Sequence, residues 1–149
     1  MSNTGLDSFD DTVQQTNILL KDIINEFGWD ERRDMAYDVL RAVIQTLRDR
    51  LTVEEAVQFG AQLPMLVRGF YYEGWRPSEV PKKMHKEEFF AEVRKKFPFD
   101  VEQSNEDLIR GVLLALTRFV SKGEMDDIKG ILPKDLGQVL EGFWKEGNL

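Results

Sequence analysis

The side chains of this sequence that could carry out acid–base or metal chemistry begin with one histidine. His85 is the single histidine of the chain, and no cysteine is present. A Ser-His-Asp arrangement or a histidine-based zinc site would therefore have to include His85. Glu88 lies three residues further on, a spacing that suits either a weak metal contact or a helix cap. Because carboxylate di-iron bundles need Glu-x-x-His motifs on two helices, that class is excluded, and we expect His85 to be an exposed connector residue.

Pairs of adjacent carboxylates are the second set of groups that could do chemistry, because they could hold magnesium or act as acid and base. The pairs are Asp10-Asp11, Glu54-Glu55, Glu87-Glu88 and Asp126-Asp127. Each pair falls in a predicted first helical turn, where the helix dipole favours negative charge, so capping explains them without chemistry. A hydrolase that depends on carboxylates or on His85, with Asp126 or Asp127 in its cleft, is the enzymatic alternative. No stretch matches a calcium loop, a P-loop or a dinucleotide-binding glycine motif, and we expect no cofactor and no metal.

Basic side chains cluster near the middle of the chain, which raises a nucleic-acid alternative. They are Lys82, Lys83, His85, Lys86, Arg94, Lys95 and Lys96. The net charge of −7 repels phosphate backbones and anionic lipid surfaces. The short helices predicted over 60–75 resemble a helix-turn-helix, but the second helix presents Leu66 and Phe70 where polar base-reading side chains would be needed. Nucleic-acid binding is therefore disfavoured.

Six side chains form a candidate partner surface. Tyr72 and Leu114 are predicted to project from the polar sides of their helices, and such outward anchors are enriched at protein interfaces. Two pairs of opposite charges, three residues apart, lie away from the apolar stripes and form either intrahelical ion pairs or partner-facing patches. These pairs are Asp38 with Arg41 and Asp107 with Arg110. The surface predicts a homo-oligomer or a protein partner.

Apolar residues at a period of 3.6 predict the helices that position these groups. Asp11 is the predicted cap of a first helix that ends near Gly28, and Asp30 is the predicted cap of the second. The second helix has the clearest stripe, which comprises Ala36, Val39, Leu40, Val43, Ile44, Leu47 and Leu51. Thr52-x-x-Glu55 is a capping box for a third helix. Leu63-Pro64 then starts a fourth helix, because proline suits a first helical position.

The same pattern returns after a connector over 76–85, in which the apolar period is lost. Residues 31–75 align with 100–144 at a constant offset of 69 and without a gap, and eight pairs are identical. A capping box recurs at Ser121 and Glu124, and a Leu-Pro break recurs at Leu132-Pro133. This break precedes a last predicted helix, which carries Leu136, Val139, Leu140, Phe143 and Trp144. A helix stripe, a capping box, a Leu-Pro break and a terminal tryptophan that recur in register predict an internal duplication.

We therefore expect an all-α fold, a helical bundle of about eight helices built from two pseudo-symmetric four-helix repeats that share one core. Repeat 1 covers about 11–75, the connector 76–85 and repeat 2 about 86–146, within a single domain over 1–149. Short helices bury little apolar surface alone, so the two copies are expected to pack against each other.

Two segments of the sequence carry a resemblance to a known family. They are VLRAVIQTLRDRLTVEEAVQFGAQLPMLVRGFYYEGW, which ends at Trp75, and LIRGVLLALTRFVSKGEMDDIKGILPKDL, which ends at Leu136. The chain resembles the bacterial domain-of-unknown-function family numbered 2267 from about Ile18 onward. The resemblance implies an all-helical fold and no established activity, and it offers no catalytic residues to carry over.

The composition favours a water-soluble, cytoplasmic protein. The absence of cysteine suits a reducing compartment, residues 1–11 do not read as a signal peptide, and the longest apolar run, Val112–Leu116, is too short to cross a bilayer. We expect a non-enzymatic interaction or assembly module. A small apolar ligand between the two halves is a further option that the many phenylalanines permit.

Overall fold

The apolar periodicity is realised as helices throughout the described part of the chain. The computed structural model describes residues 4–131, 134, 137 and 138. Within residues 4–131 there are seven α-helices and no strand, which confirms the all-helical prediction. The helices are α1 (Asp7–Phe27), α2 (Arg33–Arg50), α3 (Val53–Ala61), α4 (Met65–Tyr72), α5 (Lys86–Lys96), α6 (Asn105–Leu116) and α7 (Lys122–Ile131), with a 3-10 helix (Pro77–Glu79) in the connector. The predicted last helix, from Leu136 to Trp144, lies almost wholly outside the described residues.

Helix α2 is at the centre of the bundle. It packs against α1, α4, α5 and α6. The predicted stripe is fully or almost fully buried, and residues of both halves, from Leu19 to Ile128, join one hydrophobic cluster. Burial of that cluster is the main source of stability in a fold of this kind.

Helix α1 begins earlier than the sequence predicts. Its first residue is Asp7, with Leu6 at the N-cap position, so the prediction that Asp11 caps this helix is wrong. The extra turn is supported by Asp10, whose Oδ1 accepts hydrogen bonds from the backbone N–H and the hydroxyl of Thr4. The predicted end is confirmed, because Gly28 takes the left-handed conformation at φ 68° that terminates many helices.

The turn between α1 and α2 also differs from its prediction. Asp30 does not cap α2, since Arg32 is at the N-cap position and Asp30 and Glu31 both have positive φ values. The buried Trp29 lies inside this turn, and its Nε1 donates to Oε1 of Gln103 at 3.3 Å. Gln103 in turn donates to the carbonyl of Phe27 at 3.0 Å. Gln103, which lies far away in the sequence, thus fixes the Trp29 indole inside the turn, and the chain bends sharply around it.

Helix α4 is held at both ends by side chains from other helices. Its N-terminal Leu66 N–H donates to the Thr12 hydroxyl of α1 at 2.8 Å. At the other end, the Gln45 amide donates to the Phe70 carbonyl at 2.7 Å. The Arg48 guanidinium donates to the carbonyls of Tyr71 and Glu73 at 2.7 and 2.8 Å, and it also pairs with the Asp49 carboxylate. A helix of eight residues, too short to be stable alone, is thereby capped from outside.

The two predicted capping boxes do not form alike. Thr52 and Glu55 make the full reciprocal box at the start of α3. At α7 the Glu124 N–H donates to the Ser121 hydroxyl, but the Ser121 N–H donates to Oε1 of Gln62 at 2.7 Å. The Gln62 amide also reaches the Glu124 carboxylate at 3.4 Å. A side chain from the end of α3 therefore replaces half of the second box and joins α3 to α7.

Helix boundaries in the two halves recur at the spacing of the sequence alignment. Helices α1 and α5 end at Phe27 and Lys96, and helices α3 and α7 begin at Val53 and Lys122, both 69 residues apart. The pseudo-symmetric arrangement of two repeats remains a prediction, which we take up below.

Replacing the Arg48 side chain will test the external capping of α4. We expect Arg48→Met to lower the free energy of unfolding by about 3 kcal/mol, because buried carbonyls lose their donor and Asp49 loses its ion pair. Urea denaturation measures the change. The matched control is Arg118→Met, since the Arg118 side chain is 54% exposed in its ion pair with Asp22 and such pairs contribute roughly 0–1 kcal/mol. Equal losses in the two variants would contradict this account.

Stability should depend on pH through Glu124. Burial, followed by the nearby carboxylates of Asp127 and Glu55, raises the pKa of Glu124 above its ordinary value of 4.5. The folded state therefore holds this proton more tightly than the unfolded chain, and the free energy of unfolding falls as the pH rises from the unfolded pKa through the folded pKa.

We expect Glu124→Gln to abolish that fall and to unfold at a higher urea concentration than wild type at neutral pH. The difference should vanish in acid, below both pKa values. Glu102→Gln, at an exposed residue between α5 and α6, is the control and should show the same fall with pH as wild type. A wild-type profile that Glu124→Gln does not alter would count against the assignment.

Candidate functional site

Large apolar side chains are exposed in the first half of the described chain. Among the described residues, those that are at least 37% exposed all lie between positions 6 and 66. They are Leu6, Phe9, Val13, Ile18, Val53, Val57, Met65 and Leu66. Three of them, at i, i+3 and i+7, form one stripe along the start of α1, which we call the α1 stripe (Leu6, Phe9 and Val13). The largest, Phe9, is 50% exposed.

The α1 stripe leads into a groove between α1 and α4, with α2 as its floor. The cavity in this groove has a volume of about 620 Å³. Helix α1 contributes Val13, Thr16, Asn17 and Leu20, and helix α2 contributes Arg33, Asp34 and Tyr37. Helix α4 contributes Leu66, Gly69 and Phe70, and Glu73 follows at its C-cap position. We call this feature the α1–α4 groove.

The spacing of residues along α4 explains why this groove stays open. Leu66, Gly69, Phe70 and Glu73 recur at i, i+3, i+4 and i+7, so they line one side of α4. A Cβ atom at Gly69 would meet nothing within 4 Å. A glycine within a helix lowers the stability of the helix by about 1 kcal/mol relative to alanine. At position 69 no neighbouring atom would exclude the alanine side chain. The missing side chain leaves a recess in the wall of the groove.

Charges and aromatic rings define the groove at one end. The edge of the Tyr37 ring meets Phe70, with ring centroids 5.1 Å apart. The Arg41 guanidinium lies 5.6 Å from the Tyr37 ring centre. The pKa of Arg41 is raised, first by its hydrogen bond to Tyr37 and to a smaller extent by the charges of Asp38 and Glu73. Arg41 therefore keeps its positive charge beside the groove.

The first predicted charge pair thus lies at the border of the α1–α4 groove. The expected ion pair between Asp38 and Arg41 does not form within 4 Å in the described structure, because Arg41 instead donates to the Tyr37 hydroxyl at 3.5 Å. Both side chains are half-buried. Their predicted role in contacting a partner remains a prediction.

Tyr72 does not project into solvent, so the predicted orientation of this side chain is wrong. Its ring packs against Tyr71 and Trp75, with centroids 4.9 and 5.3 Å away. A Cβ atom at Gly60 of α3 would lie 2.6 Å from the Tyr72 hydroxyl oxygen. The absence of a side chain at Gly60 creates a notch for the phenol, which is why Tyr72 is half-buried despite its position on α4.

The remaining predicted surface residues lie elsewhere. Leu114, Asp107 and Arg110 line a cavity of about 240 Å³ where α6 meets the end of α1, together with Phe27 and Gln103. Leu114 and Arg110 are half-buried and Asp107 is exposed. The structure therefore separates the six predicted residues into three places and does not bring them together as one surface.

The residues considered for catalysis are dispersed as well. His85 is exposed, and its backbone N–H donates to the Glu88 carboxylate at 3.1 Å, so the spacing serves a helix cap. Asp126 and Asp127 lie on α7, and no hydrogen bond or ion pair joins them to His85 in the part of the chain that the structure describes. Over the same residues, no group of three or more His, Cys, Asp or Glu side chains could hold a metal ion.

The basic cluster is interleaved with carboxylates. Lys82, Lys95 and Lys96 line a cavity of about 580 Å³ that also contains Asp49 and Glu92. Lys95 lies 3.7 Å from the Glu92 carboxylate. Burial lowers the pKa of Lys96. These contacts make the cluster a surface of mixed charge, which is a poor match for a phosphate backbone.

A sequence model of the family described as "Uncharacterized conserved protein (DUF2267)" matches residues 16–139. The chain belongs to the DUF2267 family. Most of both groove walls fall within the DUF2267 region, whereas the α1 stripe precedes it. No curated protein matches the chain. Among the described residues of this DUF2267 member, no helix has the length and apolarity that a membrane crossing requires.

A helical glycine within an apolar stretch is a feature of the sequence that indicates the groove and that an analysis of apolar periodicity overlooks. Val13 and Leu66 belong to predicted apolar stripes, and the structure leaves both of them exposed. Gly69 is a helical glycine in the same stretch, at a position where alanine would suit the helix better. Together these features mark an apolar helix face that the rest of the chain does not cover.

The close packing of α6 on α1 can be tested at Gly111. A Cβ atom there would overlap the Phe27 ring. We expect Gly111→Ala to lower the free energy of unfolding by about 1–3 kcal/mol, as overpacking does. Gly130→Ala on α7 is the control, because its Cβ meets nothing within 4 Å and helix propensity should raise stability by up to about 1 kcal/mol. Thermal unfolding that shows both variants to be stabilised would contradict the packing described.

Proposed function

We propose that this DUF2267 domain is a non-enzymatic interaction module that receives an amphipathic helix in the α1–α4 groove. The observation that carries the proposal is an open groove of about 620 Å³ bordered by exposed apolar side chains. Monomeric soluble proteins rarely expose large contiguous apolar patches, and such patches mark sites of protein or ligand contact.

The dimensions of the surface favour a helix as the bound element. From Leu66 to Glu73 the α4 wall is about 10 Å long, and from Leu6 to Leu20 the α1 side is about 21 Å long. The groove is elongated and has apolar residues on both sides, and an amphipathic helix lays its apolar face into a groove of this kind. Phe9 and Leu66 provide apolar contact area near the entrance, and the recess at Gly69 leaves room for a side chain from the helix.

We further propose that the two halves are copies of one four-helix unit. The proposal is supported by the alignment without gaps and by helix boundaries that recur 69 residues apart. It predicts that α2 and α3 superpose on α6 and α7 by a rotation close to two-fold. An experimentally determined structure in which the two helix pairs cross at clearly different angles would refute it.

Site-specific photo-crosslinking in cells tests the interaction role. A benzophenone amino acid placed at Leu66 should form protein adducts, whereas the same group at Val57 on α3 should not. The two positions are matched in exposure, at 44% and 46%. Gly69→Gln should occupy the groove and lower the adduct yield from position 66 by roughly tenfold, the effect expected of a lost interface anchor.

Gly69→Gln also separates binding from folding. Glutamine is a better helix former than glycine by roughly 0.5–1 kcal/mol, so urea denaturation should show a variant at least as stable as wild type. Loss of adducts in a stable variant supports the groove as the site. Equal adduct yields at positions 66 and 57, or a yield at 66 that Gly69→Gln leaves unchanged, would refute the proposal.

A further inference from the structure

We infer that the helix received by the α1–α4 groove is α1 of a second copy of this chain, which pairs with the first in an antiparallel arrangement. This inference rests on the proposed function, since it names the occupant of the same groove. The layout of apolar residues along α1 and the distribution of charge at the two ends of the groove support it.

The surface contains both a projecting apolar edge and a recess, as a symmetric dimer requires. The α1 stripe of Leu6, Phe9 and Val13 stands out at the start of α1, and the groove begins at Val13 and continues beside Leu20. In a two-fold dimer the same patch must complement itself, so an edge and a recess have to be adjacent on one surface. Here the edge lies on α1 and the recess at Gly69 lies on α4, across the same groove.

A two-fold axis beside Val13 brings the apolar groups into register. It sets Leu6 of one copy opposite Leu20 of the other and places the two Val13 side chains side by side. Phe9 comes opposite Asn17, which lines the groove together with Gly69. The exposed phenyl ring would thus enter the recess that the missing Gly69 side chain leaves in the second copy.

Charge complementarity selects the antiparallel direction. The first turn of α1 is acidic, with Asp7 and Asp10, while Arg33 lies at the far end of the groove, where it donates to Asn17. The carboxylates of Asp34 and Glu73 line the same end, but Asp34 is paired with Arg32 and the charge of Glu73 acts on Arg41, so Arg33 is the positive group left to meet an acidic helix. An antiparallel pair brings Asp10 of each copy toward Arg33 of the other. A parallel pair would place the two acidic ends together and repel.

A different occupant would have a different chemistry. The acidic start of α1 and the net charge of −7 would attract a helix with basic residues flanking its apolar face. Antiparallel pairing already supplies one positive group, Arg33, for each acidic end. A monomeric chain whose adducts contain peptides of another protein would indicate a basic partner helix instead.

Sedimentation equilibrium of the full chain tests the inference. Wild type should form a reversible dimer, and Phe9→Asp should weaken the dimer by more than about tenfold, because a charge replaces an interface anchor. Val57→Asp, which changes an equally exposed apolar residue outside the groove, should dimerise as wild type does. Circular dichroism confirms that each variant is folded, and Val13→Asp replaces Phe9→Asp if the latter is not.

A double-mutant cycle tests the direction of pairing. Asp10→Asn keeps an oxygen that can accept from Thr4, and it should weaken the dimer by roughly threefold, as should Arg33→Gln. The double variant should lose little more affinity than either single variant, and losses that simply add would overturn the antiparallel register.

The inference and the proposed function fail in different ways. A wild-type chain that sediments as a monomer at every concentration, or a folded Phe9→Asp variant that dimerises as wild type does, overturns the second-copy inference. If adducts at position 66 then contain peptides of another protein, the groove is still an interaction site. Adducts that contain peptides of the chain itself support the dimer.

Discussion

The guanidinium of Arg48 orders the end of α4, and the α1–α4 groove could not exist without that helix. Arg48 is 3% exposed, and it donates to the carbonyls of Tyr71 and Glu73 at the end of α4. Burying a charge is costly unless the charge is paired and fully hydrogen-bonded, and here Asp49 and the carbonyls provide both. With Thr12 at the opposite end, α4 is positioned by groups that lie on α1 and α2.

External capping also explains how α4 can have one exposed apolar side. A short surface helix usually remains folded because its apolar stripe is buried against the core. In α4 the inward residues Val67, Phe70 and Tyr71 are buried, and hydrogen bonds from neighbouring helices fix both ends. The outer residues, including Leu66, are therefore not needed to keep the helix in place. That surface is available for contact with another molecule, at little cost to the fold.

Features that depend on a few neighbouring residues were predictable from the sequence. The stripe of α2, the stop at Gly28, the Thr52–Glu55 capping box and the irregular connector all follow from local rules. Asp30 and Tyr72 were predicted incorrectly, and only half of the second capping box was predicted correctly, because distant residues determine each of them. Gln103 holds the turn at Trp29, and Gly60 leaves room for Tyr72. The Ser121 hydroxyl caps α7 as predicted, but Gln62 instead of Glu124 accepts the Ser121 N–H. The groove could not be predicted for a related reason. Periodicity identifies the apolar side of α1 or α4 but not whether another helix covers it.

The hydrogen bonds of Gln103 bear on how independent the two halves are. Gln103 precedes α6, yet it hydrogen-bonds to the Trp29 indole and to the Phe27 carbonyl at the end of α1. The Phe27 ring packs against Gly111 of α6, where any side chain would overlap it. We therefore expect the first half to depend on the second half for its native shape. A protease that nicks the chain at the connector would leave two complementing fragments that stay associated, and neither fragment expressed separately would form a lasting native structure.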